Sequence, residues 1–403
     1  MKYIILVGDG MADYPLAELG GKTPLEAAAT PNIDYLARHG QLHTLKTVPD
    51  GLAPGSDVAN LSLLGYNPEG YYTGRAPLEA ASLHVTLGED DIAFRCNLVT
   101  LAFDGPDMAT MIDYSAGHIS TPEASALIAS LAADLNCEGL SFSPGVSYRH
   151  LLVVGKEVRD LTTVPPHDHT GNDVSGFWGD YLANPVFGPL VRRASEILAQ
   201  HPINQARIKA GKHPANAIWL WGEGKAPSLP TLQDRFGISG ALISAVDLLK
   251  GMGVYAGMEV INVPGATGYL DTNYQGKAEA ALRALQDHDL VFVHVEAPDE
   301  AGHQGLIKEK VRAIEDFDQL IVKPIVSGMT GSDYRIAITC DHYTPIALKT
   351  HAAHPVPIVL FDSTSKMPGC GLTYSEQNAN STGSALNSGE EFFSALLSRH
   401  KTP

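Results

Sequence analysis

Three short apolar runs, each followed closely by acidic residues or histidines, limit the folds available to this chain. The runs Tyr3–Val7, Asp289–Val295 and Arg335–Thr339 are rich in β-branched residues and do not alternate regularly with polar ones. Such runs are typical of strands that are buried on both faces of a parallel sheet. We therefore predict an α/β fold with a doubly wound, mostly parallel sheet.

The residues that follow these runs indicate a metal site. Ligands of open α/β sheets gather beyond the carboxyl ends of the strands, so the three ends should surround one crevice. Carboxylates and imidazoles together suit Mn²⁺, Zn²⁺ and related ions. With His351 or His354 added, there are enough ligands for two ions. The candidates at the strand ends are Asp9, Asp299, His303, Asp341 and His342.

Ser56 lies in a glycine- and proline-rich stretch, Gly51–Gly65, just before an apolar run with helical spacing. The free N–H groups at a helix start favour an anion beside such a serine. With a group nearby to remove its proton, Ser56 could act as a nucleophile. The other interpretation, that Ser56 only caps the helix, stays open on this stretch alone.

Composition narrows the possible partners and the location. The 403 residues carry a formal charge of −17, which argues against nucleic acid or an anionic membrane as the main partner. The four cysteines form no CxxC pair. Because a strand-like run begins at Tyr3, we expect no signal peptide. We also find no apolar run long enough to span a membrane. We therefore expect a cytoplasmic protein.

The sequence changes in character between about Leu83 and Gly240, which predicts a smaller α+β domain inserted into the α/β domain. We place the catalytic domain at residues 1–85 and 238–403, and the insertion at 86–237. From about Leu83 we predict short strands at His84–Leu87, Ile92–Val99 and Met108–Ile112, before a helix at Pro122–Leu135. Later elements are predicted as helices at Ala241–Lys250, Leu306–Met329 and Glu390–Arg399, and a loop at Thr373–Ser388.

Five motifs give the chain a family resemblance that runs nearly from end to end. The chain resembles the archaeal-type, cofactor-independent (2,3-bisphosphoglycerate-independent) phosphoglycerate mutases of the alkaline phosphatase superfamily. The motifs are specific together, although each is weak singly. They are Gly8–Met11, Pro54–Asp57, Ala297–His303, Asp341–His342 and His351–Pro357.

The resemblance implies an alkaline phosphatase-like core, a phosphoserine intermediate at Ser56 and two divalent metal ions. Asp9, Ser56, Asp341 and His342 would hold one ion, and Asp299, His303 and His351 the other. Mn²⁺ is the expected metal, with Zn²⁺, Mg²⁺ or Co²⁺ as alternatives. One position departs from the family, since residue 354 is usually Asn or Asp there. His354 therefore remains an alternative to His351, which we prefer as the ligand.

In this family the inserted domain carries the substrate, which would be a small phosphorylated acid. Arginine suits bidentate binding of phosphate and carboxylate. An ordinary surface or structural role remains the alternative for each candidate. The candidates for substrate binding are Arg75, Arg95, His118, Arg149, His167, Asp168 and Lys250.

The function that the resemblance implies is the glycolytic interconversion of 3-phosphoglycerate and 2-phosphoglycerate. A homoserine kinase-like phosphotransferase and a metal-dependent phosphatase would use the same serine with another acceptor. A regulator that binds metal or phosphate without catalysis is the fourth possibility. The sequence leaves the oligomeric state open.

Overall fold

The computed structural model describes residues 1–105, 108–155, 161 and 163–398. The chain divides into two compact units, Met1–Tyr72 with Ser228–Pro403, and Thr73–Pro227. No helix in the described residues is long and apolar enough to cross a membrane.

The strands, numbered in chain order, belong to two sheets. They are β1 (Lys2–Gly8), β2 (Gln41–Leu45), β3 (Ile92–Phe103), β4 (Ala109–Asp113), β5 (Leu140–Ser143), β6 (Arg149–Val154), β7 (Ala217–Gly224), β8 (Gly240–Ile243), β9 (Glu259–Val260), β10 (Leu290–Val295), β11 (Tyr334–Thr339), β12 (Val356–Asp362) and β13 (Ala385–Leu386).

The α-helices are numbered in the same way. They are α1 (Pro24–Ala27), α2 (Pro31–His39), α3 (Ser56–Leu63), α4 (Pro68–Tyr71), α5 (Arg75–Ser82), α6 (Thr121–Leu135), α7 (Ser175–Ala183), α8 (Phe187–Gln200), α9 (Pro202–Lys209), α10 (Leu232–Phe236), α11 (Asp247–Tyr255), α12 (Tyr274–Asp287), α13 (Ala297–Gln304), α14 (Ile307–Phe317), α15 (Lys323–Gly328), α16 (Glu376–Ser381) and α17 (Gly389–Leu397). Short 3₁₀ helices span Ala17–Leu19 and Pro166–His169.

The first unit contains the predicted α/β sheet, with the strand order β13-β2-β12-β11-β1-β10-β8-β9. Its centre is parallel, because β1 pairs in parallel with both β10 and β11. Strands β12 and β2 continue the sheet in antiparallel pairings. The central strands are almost completely buried, as expected for a sheet that is covered on both faces.

The second unit contains an antiparallel sheet that is built on the long strand β3. Strands β4, β6 and β7 all pair with β3, and β5 pairs with β6. Helices α6, α7 and α8 contribute apolar side chains to its core, including Leu127, Trp178 and Val191. The second unit is thus an α+β unit, as the sequence predicts.

The boundaries of the units differ from the predicted segments 1–85, 86–237 and 238–403. Helix α5 belongs to the second unit, because Ala76 and Ala80 pack against Ala93 and Leu151. Residues after Ser228 belong to the first unit, where the Tyr66 hydroxyl donates to the carbonyl of Pro230 over 2.8 Å.

The predicted strand at His84–Leu87 is wrong. His84 has a left-handed backbone (φ 57°), and the N–H of Val85 donates to the carbonyl of Ala80. The segment therefore closes the end of α5. Val85 and Leu87 pack beside the α5 alanines, without pairing in a sheet.

The predicted helix at Ala241–Lys250 is also wrong in its first half. Residues 240–243 form β8, which pairs in parallel with β10, and the helix α11 begins only at Asp247. The side chains of Ala241, Leu242 and Ile243 are buried by at least 99%. Sheet pairing and burial here override a local composition that favours a helix.

Two further segments differ in detail from the prediction. The helix predicted at Leu306–Met329 widens into a π-helical segment, Asp318–Val322, between α14 and α15. Pro324 follows this segment and has no N–H to donate to the preceding turn, which accounts for the local widening. The predicted loop Thr373–Ser388 contains α16 and β13. The last predicted residue of the final helix, Arg399, lies outside the described residues.

Candidate active site

The predicted meeting of three strand ends is present in the first unit. Because β10 and β11 flank β1 in parallel, their carboxyl ends are neighbours. Asp9 follows β1 directly, and Asp341 and His342 follow β11. Asp299 and His303 lie one turn apart in α13, immediately after β10.

Asp9, Asp341 and His342 form what we call the deep group, because each side chain is at most 1% exposed. Nε2 of His342 lies 3.6 Å from Oδ1 of Asp9 and 3.5 Å from Oδ2 of Asp341. The backbone N–H of Gly10 and the amide of Asn60 donate to the two oxygens of Asp341, over 3.2 and 2.8 Å. The fold thus holds both oxygens of the Asp341 carboxylate through hydrogen bonds.

Gly10 makes this close packing possible. Its backbone is left-handed (φ 59°), and a Cβ there would lie 2.4 Å from Oγ1 of Thr344 and 2.7 Å from Oδ1 of Asp299. A larger residue would therefore push against the acidic side chains directly.

Ser56 lies beside the deep group, with its Oγ 3.2 Å from Nε2 of His342. It is the first residue of α3, and the cap position is taken by Gly55. The capping interpretation therefore does not hold for Ser56. Asn60 links the serine to the acids, since its amide donates both to the carbonyl of Ser56 and to Asp341. Ser56 is partly exposed and lies at the start of a helix, where free N–H groups attract anions.

Asp299, His303 and His351 form the shallow group, whose histidines are partly exposed. Nε2 of His303 lies 3.3 Å from Oδ2 of Asp299 and 3.0 Å from Nε2 of His351. Nε2 of His351 lies 3.6 Å from Oδ1 of Asp299. The backbone carbonyl of Lys349 lies 3.0 Å from Nδ1 of His303. The carbonyl of Pro54 lies 3.3 Å from Nδ1 of His351. Such contacts orient histidine rings with Nε2 free to bind a metal.

His354 does not join the shallow group. Its Nε2 lies 3.0 Å from the hydroxyl of Tyr14, and its ring packs edge-on against Tyr14 and Tyr343. The geometry therefore favours His351 over His354 as the ligand.

Thr344 connects the deep and shallow groups, and sequence reasoning missed it. Its hydroxyl donates to Oδ1 of Asp299 and lies 3.2 Å from Nδ1 of His342. This contact orients the His342 ring so that Nε2 faces Ser56 and the acids.

The ionisation of these side chains reflects burial and mutual charge. Burial and the neighbouring Asp341 raise the pKa of Asp9 well above its ordinary value. Burial opposes ionisation of Asp299 as well, but His303 and His342 more than offset it and lower the pKa of that carboxyl. The hydrogen bond to Asp299 raises the pKa of His303 to about 9, whereas burial lowers that of His351 to about 4. Two bound cations would relieve the repulsion among the three carboxylates.

The residues fit divalent metal ions. Three sets of side chains each bring their ligand atoms within 4.8 Å of one another, and carboxylates with imidazoles suit Mn²⁺ and Zn²⁺. The sets are Asp299 with His303 and His351, Asp9 with Asp299 and His342, and Asp9 with His294 and Asp341.

His294 is the second residue that sequence reasoning missed. It is fully buried in β10, and its Nε2 lies 3.0 Å from Oδ2 of Asp9. Burial lowers the pKa of this imidazole to about 4. A signal was present, because His294 is a polar side chain in an otherwise apolar run, two residues before Glu296.

Most predicted substrate residues gather in the second unit, around Trp221. The Arg95 guanidinium lies 3.9 Å from the centre of the Trp221 ring and pairs with Glu79 over 3.0 Å. His167 packs edge-on against the same ring, and burial lowers its pKa. Arg75 lies 3.9 Å from Glu79.

The other candidates lie around this cluster or apart from it. Arg149 stacks on Tyr148, and His118 packs edge-on against the same tyrosine. The exposed carboxylate of Asp168 lies 3.6 Å from His167. Lys250 belongs to the first unit, where it pairs with Asp247.

Comparisons with known proteins agree with the geometry. A family model described as 2,3-bisphosphoglycerate-independent phosphoglycerate mutase matches residues 37–204. A relative of that name from Methanosarcina barkeri is 52% identical over 94% of this chain and 95% of its own. A probable enzyme of the same name from Geobacter sulfurreducens is 50% identical over 99% of this chain and all of its own.

Two solved structures are also similar over nearly the whole chain. A Pyrococcus horikoshii protein has a TM-score of 0.82 and 28% identity, covering 100% of this chain and 99% of its own. A cofactor-independent phosphoglycerate mutase from Thermoplasma acidophilum has a TM-score of 0.66 and 28% identity, covering 98% and 99%.

Proposed function

The chain belongs to the 2,3-bisphosphoglycerate-independent phosphoglycerate mutases, and we propose that it interconverts 3-phosphoglycerate and 2-phosphoglycerate through a phosphoserine at position 56. The observation that carries the proposal is the position of the Ser56 hydroxyl, 3.2 Å from Nε2 of His342 at the edge of a buried acid–histidine site. Relatives at about half identity over nearly the full length support the same reaction.

We assign the deep group and Ser56 to one cation, and the shallow group to a second. We propose Mn²⁺ as the metal, with Zn²⁺, Mg²⁺ or Co²⁺ as alternatives, because the donor sets combine carboxylates with imidazoles. When bound, the two ions would lower the pKa of the serine hydroxyl and neutralise charge on the phosphoryl group. Asn60 holds the start of α3, and therefore the serine, against Asp341.

Ser56 acts as the nucleophile in this proposal. Its hydroxyl loses its proton and its oxygen attacks the phosphorus of 3-phosphoglycerate in line, while the bond to the glycerate oxygen breaks and that oxygen takes up a proton. Glycerate then turns within the site, and its other hydroxyl takes the phosphoryl group from Ser56. The backbone N–H groups at the start of α3 can donate to the phosphoryl oxygens during both steps.

Binding of the acid substrate is assigned to the predicted cationic residues, chiefly Arg95 and its neighbours around Trp221. The pairing with Glu79 and the contact with Trp221 hold the buried Arg95 in one orientation, which favours binding of a planar anion. The same assignment, on the weaker ground of charge and residue type, extends to Arg75, His118, Arg149, His167 and Lys250. Asp168, a carboxylate beside His167, is proposed to bind a hydroxyl of the substrate. The four unpaired cysteines support a cytoplasmic setting.

A direct test compares the wild type with Ser56→Ala by ³¹P NMR, with Mn²⁺ and 3-phosphoglycerate. We expect the wild type to form 2-phosphoglycerate and the variant to lose on the order of 10³-fold or more in rate, because the nucleophile is gone. Ser388→Ala is the matched control, since Ser388 caps α17 and accepts from Glu391 N–H. Its activity should be unchanged.

A second reaction contains ATP and homoserine in place of 3-phosphoglycerate. Product in this second reaction alone would replace the mutase assignment with a kinase-like one. Release of inorganic phosphate from 3-phosphoglycerate without isomerisation would instead favour a phosphatase. Full turnover by Ser56→Ala would contradict the phosphoserine step.

A further inference from the structure

His294 and Asp9 face each other in the interior of the first unit. His294 pairs with Val7 across β10 and β1, and Asp9 lies two residues after Val7. Since side chains alternate along a strand, Asp9 and His294 point to the same face of the sheet. The structure agrees, with Nε2 of His294 3.0 Å from Oδ2 of Asp9.

The polar atoms at this contact lack hydrogen bonds. Within the part of the chain that the structure describes, neither Nε2 of His294 nor Oδ1 of Asp9 has a hydrogen-bond partner. The two side chains are 0% and 1% exposed, so solvent does not satisfy them. Buried polar atoms without partners are rare and costly, which calls for a physical explanation.

The other side of the His294 ring is anchored. Nδ1 lies 3.4 Å from Oγ of Ser244, which follows β8 on the neighbouring strand. The backbone carbonyl of His294 accepts from the buried amine of Lys277 over 2.9 Å. The contact with Ser244 places Nε2 on the side of the ring that faces the carboxylate, as in histidines that bind metals through Nε2.

We propose that His294 is an additional protein ligand of the cation at the deep group, bound through Nε2. The inference rests on the proposed function, which places a cation there. With Asp9 and Asp341, whose ligand atoms lie within 4.8 Å of its own, His294 would add an imidazole to the ligands of the deep cation. The second imidazole favours Mn²⁺, Co²⁺ or Zn²⁺ over Mg²⁺, which prefers oxygen ligands.

The decisive measurement is a crystal structure of the wild-type chain loaded with Mn²⁺, with anomalous scattering to locate the ions. We expect the deep ion within about 2.0–2.3 Å of Nε2 of His294. An ion bound to Asp9, Asp341 and His342, but more than about 3 Å from His294, would overturn the proposal. His294 would then be a structural residue packed beside Asp9.

Solution binding gives a second readout. Mn²⁺ titration of His294→Ala should show the deep-site affinity reduced by more than about 100-fold, whereas Ser244→Ala should lose about 10-fold. The matched control is His150→Ala, because His150 is also a buried histidine with an unpartnered Nε2, but lies in the second unit. Its Mn²⁺ affinity should be unchanged, and equal affinities for His294→Ala and wild type would contradict the proposal.

The mutase assay on the same preparations separates this inference from the proposed function. If the wild type is active but its deep ion does not contact His294, the ligand assignment is refuted and the proposed function is retained. Preparations that bind no ion at all would refute both.

Discussion

The deep and shallow groups use the same residue types but differ in how their charges are balanced. In the deep group, Asp9 and Asp341 are two buried carboxylates near one another, and burial with this repulsion raises the pKa of Asp9. In the shallow group, the negative charge of Asp299 is balanced by His303, whose Nε2 lies 3.3 Å from Oδ2 of that carboxylate. The contrast indicates that the deep group depends on a cation and on rigid support, whereas the shallow group is partly neutralised by its own histidines.

The rigid support lies behind the deep group, in a buried ion pair. Lys310 is 0% exposed, and its amine donates to Oδ2 of Asp13 and to the carbonyl of Thr344, both over 2.8 Å. These acceptors belong to the loops after β1 and β11, which carry Asp9, Asp341 and His342. Lys310 thus links the two loops that carry the residues of the deep group.

Lys310→Met should cause the largest loss of stability, because it leaves the Asp13 carboxylate buried without its cationic partner. Removing one partner of a buried pair costs about 3–5 kcal/mol. Urea unfolding of the Mn²⁺-loaded protein measures this loss. Lys308→Met is the control, because Lys308 is an exposed residue of the same helix α14, and should cost little. A loss below about 1 kcal/mol would show that the loops do not depend on the ion pair.

Glu376 is the next support, and its effect depends on pH. Its oxygens accept from the N–H of Asp13 and the hydroxyl of Thr23, over 3.0 and 2.8 Å. Burial raises its pKa from 4.5 to about 7. Between these values the folded chain keeps a proton that the unfolded chain releases, so this residue's contribution to stability falls as the pH rises through the window.

Glu376→Gln removes this dependence, and at pH 8 the variant should be more stable than wild type by up to about 3 kcal/mol. Denaturant unfolding at pH 5 and pH 8 measures the change, with the exposed Glu18→Gln as the control. The difference between variant and wild type should shrink towards pH 5. A difference that is the same at both pH values would mean that Glu376 does not titrate between them.

Sequence reasoning predicted the candidate ligands at the strand ends, and the structure brings them together, but it did not predict the residues that support them. Asp9, Asp341 and His342 follow apolar runs directly, so their meeting depends only on the order of strands in a parallel sheet. Lys310 and Thr344 act through contacts between distant segments, and a lysine within an amphipathic helix gives no sign that its amine is buried. His294 was missed because the run around it was assigned to the core.

The candidate site residues of the second unit were harder to predict, because they too meet through contacts between distant segments. The cluster of Arg95, His167 and Trp221 is assembled from β3, the 3₁₀ helix Pro166–His169 and β7, which lie far apart in the chain. An antiparallel sheet has no common strand end where functional residues collect, so only residue type suggested these positions. The strand predicted at His84–Leu87 failed because Val85 bonds to the end of α5.

Thr344→Val tests whether the two groups are independent. The variant keeps the shape of the side chain but loses the hydroxyl that contacts both Asp299 and His342. We expect Mn²⁺ affinity to fall about 10–100-fold at both sites, as for other contacts that orient metal ligands. Calorimetric titration measures the two affinities, and Thr344→Ser, which keeps the hydroxyl, should restore most of the loss. Loss at one site alone would show that the groups do not share this contact.

His354→Ala should have the smallest effect on Mn²⁺ affinity. Comparison with His351→Ala shows which of the two histidines binds the ion. His351 lies within 3.6 Å of Asp299 and 3.0 Å of His303, whereas His354 is an exposed residue in contact with Tyr14. His351→Ala should therefore reduce Mn²⁺ affinity at the shallow site by more than about 100-fold, and His354→Ala by less than about twofold. The same titration measures both variants. The reverse order would make His354 the ligand, and it would mean that the segment after β11 rearranges when the ion binds.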